Sequence, residues 1–338
     1  MDGVKAMTHQ DSPLGTAPVG KLVLQLAIPA MLAQFVNILY SVVDRMYVGH
    51  IANAGDAALA GVGVCAPVVT MITALGALIG FGGGPLMSIR MGRRDMDGAR
   101  QIVANSFYLL LALSVMATVP LLVFRRQILF TFGCSEALWE YAEAYFTTYV
   151  SGTVFAVMSY GLNQITMSQG FASTAMRSVM LGAAVNIALD PVFIFVLNMG
   201  VRGAALATVI GQIFGMALGL WGVFRHQKVL NVNMKAFKWN RGTVGDIYRV
   251  GLPGIVMQSV VSVMTAGMNG ILIAFSQTAV NVLGVYFKLQ TFVFMPVFGL
   301  NQGALPVMGY NYGARNRRRL MGAYRITLTA AVVIMALG

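Results

Sequence analysis

The sequence predicts an all-α polytopic membrane protein of two parallel-repeat helical lobes, a first lobe of six helices that is complete and a second that is incomplete. Three observations carry this. The 338-residue chain is 57% hydrophobic and only 10% charged, whereas a soluble domain carries charge on about a quarter of its residues. Its apolar runs recur at the ~20-residue length that crosses hydrocarbon as a helix. A stretch near the N-terminus also returns later in the chain with its Gly, Pro, Gln and Arg in register.

In chain order, residues 1–20 form a polar tail of mixed charge that lacks the apolar core of a cleavable signal peptide. Apolar runs follow near 22–48, 58–89, 101–124, 142–169, 173–197, 202–224, 247–275 and 278–311. The first six make an N-terminal lobe over 21–225. Pro29 interrupts the first run, which predicts a bend that can serve as a hinge. The polar stretch 226–246, with Lys235, Lys238, Arg241 and the interfacial aromatics Phe237 and Trp239, reads as a linker. Residues 247–338 then form a partial second lobe. A ninth apolar run starts after Arg325 and is too short before Gly338 to cross a bilayer, so the chain is expected to end inside a helix, as a truncated sequence would.

A net charge of +12 would by itself admit nucleic acid as a partner, but the cations sit in alternate loops. Arg90, Arg93, Arg94 and Arg100 follow the second run, and Arg315, Arg317, Arg318 and Arg319 follow the eighth, on the same side. The other side keeps only Arg45, Arg125, Arg126 and Arg202. This asymmetry is the positive-inside pattern, so it implies a cytoplasmic N-terminus, a lipid bilayer as the surroundings and no nucleic acid. Cys65 and Cys134 offer no disulfide framework. His9, His50 and His226 all lie outside the apolar runs, which leaves no Ser-His pair or histidine metal site within the membrane and argues against an enzyme.

The repeat is explicit. Residues 27–34 align with 251–258, pairing Pro29 with Pro253 and Gln34 with Gln258. After a three-residue change of offset, Gly82 meets Gly303, Pro85 meets Pro306, Gly92 meets Gly313 and Arg94 meets Arg315. An even number of spans separates the copies, so they run parallel, an arrangement that secondary transporters use around sites near mid-membrane.

Polar residues inside the runs mark candidate sites. Gln34, Asn37, Ser41 and Asp44 share one face of the first run; the second copy carries Gln258, Ser262, Thr265 and Asn269, without an acid opposite Asp44. Asn186 and Asp190 lie one turn apart, as do Thr208 and Gln212. Helical rise puts Asp44, Asp190 and Thr208 at one level in the outer half of the bilayer, each ~6–10 Å from the membrane surface. Buried acids mark functional sites, and oxygen ligands from three helices suit a proton or a monovalent cation. Asp44, Asn186, Asp190 and Thr208 are therefore the candidate cation site, with Na+ or H+ as the ion. Gln34, Asn37, Ser41, Asn163, Gln212, Gln258 and Thr265 are candidates for the substrate cavity. A competing role for Asp190 is to brace the backbone freed at Pro191. Lys288 either snorkels to the interface or faces the second-lobe cavity.

The block Asn186-Ile187-Ala188-Leu189-Asp190-Pro191, followed by Gly200-Val201-Arg202-Gly203-Ala204-Ala205, resembles the signature region of multidrug and toxic compound extrusion (MATE) transporters. Val43-Asp44, Val48-Gly49, Gly92 with Arg94-Asp95, and Tyr310-Asn311-Tyr312-Gly313-Ala314 are similar to the same family, particularly its DinF-like and MepA-like bacterial branch. The resemblance runs from about Lys21 onward. It implies two lobes around a central cavity and export of small, often cationic drugs in exchange for H+ or Na+. It also implies the cation site at Asp44, Asn186, Asp190 and Thr208, the bend at Pro29, and a place in the bacterial cytoplasmic membrane. No cofactor beyond the coupling ion is expected, and a monomer is expected. The alternative is a flippase for a lipid-linked precursor, which would line its cavity with cations for pyrophosphate.

Overall fold

The computed structural model describes residues 13–52, 54–223, 239–273 and 276–337. Most of the expected linker falls outside these, as do the side chains of Gln258, Ser262, Thr265, Asn269 and Lys288. No strand occurs among the described residues. A short α1 (Pro13–Thr16) leads into α2 (Val19–Gly49), α3 (Gly55–Gly92), α4 (Met96–Val123), α5 (Arg125–Thr131), α6 (Trp139–Ser151), α7 (Thr153–Ser168), α8 (Ala172–Pro191) and α9 (Gly200–Trp221). The second repeat supplies α10 (Arg241–Ile273), α11 (Gln277–Gly313) and α12 (Arg317–Leu337). Six of the described helices are long and apolar enough to cross a membrane: α2, α3, α4, α8 with its extension to Val196, α9 and α12. The chain is thus a multi-pass membrane protein.

Three elements depart from the sequence expectation. The run 142–169, expected as one span, is two helices, α6 and α7, separated at Gly152. A Cβ at Gly152 would stand 2.5 Å from the side chain of Val209 on α9, so the break sits where α9 packs against the chain. Beyond Pro191 the helix continues as a π turn, Val192–Val196, because proline has no N–H to give the regular ladder. Asp190 does not brace this turn: Oδ1 accepts from Asn186 and Oδ2 has no partner. The last helix starts at Arg317, not after Arg325. Asn316 accepts the N–H of Arg319 at 3.2 Å and so caps a basic first turn that composition alone assigns to a loop.

The repeat is visible in atomic detail where α3 turns into α4 and α11 into α12. The N–H groups of Arg93, Arg94 and Asp95 donate to the carbonyls of Ile89, Met91 and Arg90, and those of Ala314, Arg315 and Asn316 donate to Tyr310, Tyr312 and Asn311 in the same pattern. Arg94 and Arg315 both take left-handed backbone, at φ 64° and 55°. Asp95 caps the following helix through Gly98 N–H at 2.8 Å, as Asn316 does through Arg319.

Where α3 crosses α11, Gly92 lies against the Tyr310 carbonyl, and its repeat mate Gly313 against that of Ile89, the mate of Tyr310. Any side chain at either glycine would overlap backbone, so small residues let the two repeats touch at this end. Gly82 against Ile247 and Gly303 against Ala27 extend the same seam along α3–α10 and α11–α2. All of these approaches lie toward the arginine-rich ends of the helices, termed here the basic face.

Candidate functional site: a paired-carboxyl cluster beside a polar cavity

The candidate site is assembled by α2, α8 and α9, which pack on one another. Asn186 and Asp190 are adjacent on α8 by the four-residue helical step, and both are buried, at 2% and 0% exposure. Asn186 Nδ2 donates to Asp190 Oδ1 and to Thr208 Oγ1, each at 3.3 Å, while the Thr208 hydroxyl donates to the Ala204 carbonyl at 3.0 Å. Asp44 approaches from α2, and its carboxyl lies within hydrogen-bond reach of that of Asp190. The four residues expected at the cation site thus stand together.

Their hydrogen bonding is incomplete. Asp44 Oδ1, Asn186 Oδ1 and Asp190 Oδ2 are all buried without a partner. A buried acceptor left unsatisfied costs on the order of 1–3 kcal/mol, and three gathered from two helices form a cradle suited to a positive centre. Ionised carboxylates only accept hydrogen bonds, so two of them in contact require a proton or a cation between them. The ligand set is hard oxygen, whose chemistry fits a proton or Na+. No three His, Cys, Asp or Glu side chains converge among the described residues, so the cluster carries less charge than a typical divalent site.

Next to this cluster lies a cavity of about 330 Å³. Of the expected cavity residues, Gln34, Asn37, Asn163 and Gln212 line it, and Asn186 and Thr208 form part of its wall, so cluster and cavity share two side chains. Ser41 does not line it: along α2 the wall steps through Gln34, Asn37 and Tyr40, and the Tyr40 side chain takes the place assigned to Ser41. Asn163 Nδ2 also donates to the Ala175 carbonyl at 2.8 Å, bracing α7 against α8. Gln258 and Thr265 cannot be placed, their side chains lying outside the described residues. Pro29 sits within an unbroken α2, below the cavity wall.

Sequence reasoning missed the aromatic part of the site. Tyr40 lies near both carboxyls and Tyr149, Tyr145 and Tyr149 stack with centroids 5.9 Å apart, and Gln212 Nε2 donates to the Tyr149 hydroxyl at 3.3 Å. Tyrosines are common in apolar runs, and a helical-face count that admits only amides, hydroxyls and acids passes over them. Gln302 of α11, which brings the second repeat to the cavity wall, was readable with Asn301 as a pair of amides in an apolar run, but nothing in the sequence tied it to the first-repeat stripe.

A polar cavity within the first of two parallel helical repeats, with Gln302 of the second at its wall, is an arrangement that membrane transporters use. A family model described as MatE matches residues 29–192 and 253–338, and the chain belongs to this family. It is 25% identical to the multidrug export protein MepA of Staphylococcus haemolyticus (strain JCSC1435) over 94% of this chain and 69% of that protein. To MepA of Staphylococcus aureus (strain NCTC 8325 / PS 47) it is 24% identical, over 94% and 70%. Among solved structures it is similar to an outward-facing conformation of a multidrug resistance MATE family transporter of the MOP superfamily, with TM-score 0.89 and 29% identity over 96% of this chain and 72% of that one. It is equally similar (TM-score 0.89, 29%, 96% and 72%) to a MOP superfamily transporter from Pyrococcus furiosus Vc1 (DSM3638), whose reversed binding-pocket polarity was taken to suggest a different function.

Proposed function

We propose that the protein is a cation-coupled antiporter that exports small, often cationic drugs across the bacterial cytoplasmic membrane, with its N-terminus and basic face cytoplasmic. The observation that carries this is the contact between the Asp44 and Asp190 carboxyls beside three unpartnered oxygens, in a cluster that shares Asn186 and Thr208 with the cavity. An H+ or Na+ settling between the carboxyls removes their repulsion and lets α2 and α8 close on each other. That movement shifts Asn186 and Thr208 in the cavity wall, and drug and ion compete through it. Coupling follows if the ion binds the two conformations with different affinity, and Pro29 is the point at which α2 can bend. The π faces of Tyr40, Tyr149 and Tyr160 in the wall suit an aromatic or cationic drug. The MepA relatives are named as multidrug exporters, which supports the same substrate class.

The flippase alternative draws no support from the cavity, since among the described residues no Lys or Arg lines it and a pyrophosphate would need them. The experiment is efflux of a fluorescent cationic dye from cells, and counterflow in proteoliposomes under an imposed H+ or Na+ gradient. Asp44→Asn and Asp190→Asn are each expected to abolish gradient-driven efflux while insertion and expression persist. Undiminished efflux in both variants rejects the assignment.

A further inference from the structure

On the basic face, between the end of α3 and the α11–α12 turn, lies a groove of about 690 Å³ lined by Arg93, Arg315, Arg317, Tyr312, Leu320 and Met321. Its charge is compensated only in part: Arg93 feels Asp95, and the α11–α12 turn brings two further arginines with no acid of its own. No acid occurs anywhere after Asp246. The nearest acids in sequence are engaged within the first repeat, Asp95 with Arg90 at 2.7 Å and Asp97 with Arg100 at 2.9 Å. Among the described residues, neither Arg315 nor Arg317 forms an ion pair.

The repeat shows that folding does not require this imbalance. Position for position, Asp95 of the first turn becomes Asn316 in the second, and Met96 becomes Arg317. Both Asp95 and Asn316 accept the N–H three residues on, so the cap survives while one negative charge is lost and one positive charge is gained. Like-charged guanidinium groups around one concavity repel each other, and an anion between them relieves this. The guanidinium fork matches phosphate oxygens in pairs. Leu320 and Met321 lie ~6–8 Å from Arg325 along α12 at 1.5 Å per residue. The apolar part of α12 begins beyond Arg325, so the groove opens at headgroup depth, which extends roughly 5–8 Å past the hydrocarbon.

We propose that this groove is a binding site for a phosphate-bearing anion. Arg93 of the first repeat and Arg315 and Arg317 of the second hold the phosphate, and Tyr312, Leu320 and Met321 receive an adjoining apolar portion. Because its donors come from both repeats, the bound anion ties α3 to the α11–α12 turn and favours the conformation in which the basic face is sealed. The site is independent of the ion cluster and of what the cavity carries. Such a phosphate can come from an anionic lipid headgroup or from soluble phosphate.

The test is thermal unfolding of the full chain, purified in neutral detergent, with added phosphatidylglycerol, phosphatidylcholine or inorganic phosphate. Phosphatidylglycerol is expected to raise Tm by about 2–4 °C over phosphatidylcholine. The rise should vanish in Arg93→Gln/Arg315→Gln/Arg317→Gln and persist in the charge-matched control Arg177→Gln/Arg249→Gln/Arg325→Gln. The single change Arg317→Met, which installs the residue that the first repeat uses in the same turn, keeps the test valid should the triple variant misfold, and is expected to weaken binding several-fold. An equal, groove-dependent rise with inorganic phosphate supports the site and names the soluble source. No rise with either phosphate source, or equal loss in the control variant, overturns the proposal.

Discussion

Asn186 carries an unusual share of the site's geometry, because one amide nitrogen holds Asp190 and Thr208 at once. Replacing Thr208 by Val keeps the shape and removes the oxygen that Asn186 and the Ala204 carbonyl both use. A hydrogen bond within a membrane bundle contributes about 0.6–1.5 kcal/mol. Thr208→Val is therefore expected to weaken the apparent affinity for the driving ion by roughly 3–12-fold, read from the ion dependence of dye counterflow, with little change in expression. At the basic face, the Gly98 N–H and then the Arg90 guanidinium hold the Asp95 carboxyl below the usual carboxylate range. A carboxyl so depressed adds stability above its unfolded value of about 3.9 and loses it as pH falls through the lower folded value. Asp95→Ala should cost about 1 kcal/mol at neutral pH. Unfolding curves should show that the deficit against the wild type shrinks as pH drops below about 4.

At the scale of elements, the crossing of α3 and α11 depends on Gly92 and Gly313, each facing a carbonyl of the opposite repeat. Gly313→Ala pushes backbone from backbone, and overpacking of this kind costs roughly 1–3 kcal/mol; a fall in Tm together with a looser basic face is the expected reading. The short α1 belongs to the same seam. Leu14 is 3% exposed and meets Gly170 of the first repeat, while its carbonyl accepts from Asn311 Nδ2 at 3.0 Å. Arg319 of α12 donates to the Ala17 carbonyl and to Asn311 Oδ1. Arg319→Gln is expected to speed hydrogen exchange of the Leu14–Val19 amides by about tenfold while leaving α8 unchanged. The first repeat has Gly98 where the second has Arg319, and the residue before α10 is held instead by Asn105 of α4, whose Oδ1 accepts the Asn240 N–H at 3.3 Å.

For the whole molecule, the described close approaches between repeats gather toward the basic face, at Gly82, Gly92, Gly303 and Gly313. The cavity should thus be reached from the opposite side. In a Cys65→Ser/Cys134→Ser background, a cysteine replacing Asn37 is expected to react with a membrane-impermeant thiol reagent added on the face opposite the basic one, and to be shielded from the basic face. Equal labelling from both sides would contradict a sealed basic face.

Much of this architecture was legible because membranes leave the backbone little choice: apolar length defines helices, and the positions of Gly, Pro and Arg reveal the repeat. Depth could be counted from helix ends because the rise per residue is fixed, which is why Asp44, Asp190 and Thr208 could be placed at one level. The break at Gly152 was not legible, since the residue packed against it, Val209, is far along the chain, and the early start of α12 was hidden because three arginines look like a loop until Asn316 caps them. Ser41 shared a face with Gln34 on a helical wheel, yet a wheel does not say where a cavity ends.

By itself the sequence determined that the chain is a bundle of membrane helices in two parallel copies, with buried acids in one copy only, because period, length and residue type act locally. Only the tertiary structure decided which oxygens meet, which are left without partners, that tyrosines share the cavity wall and that arginines of both repeats line one groove. Those facts depend on how helices distant in sequence lie against each other, and a local pattern carries no such distances.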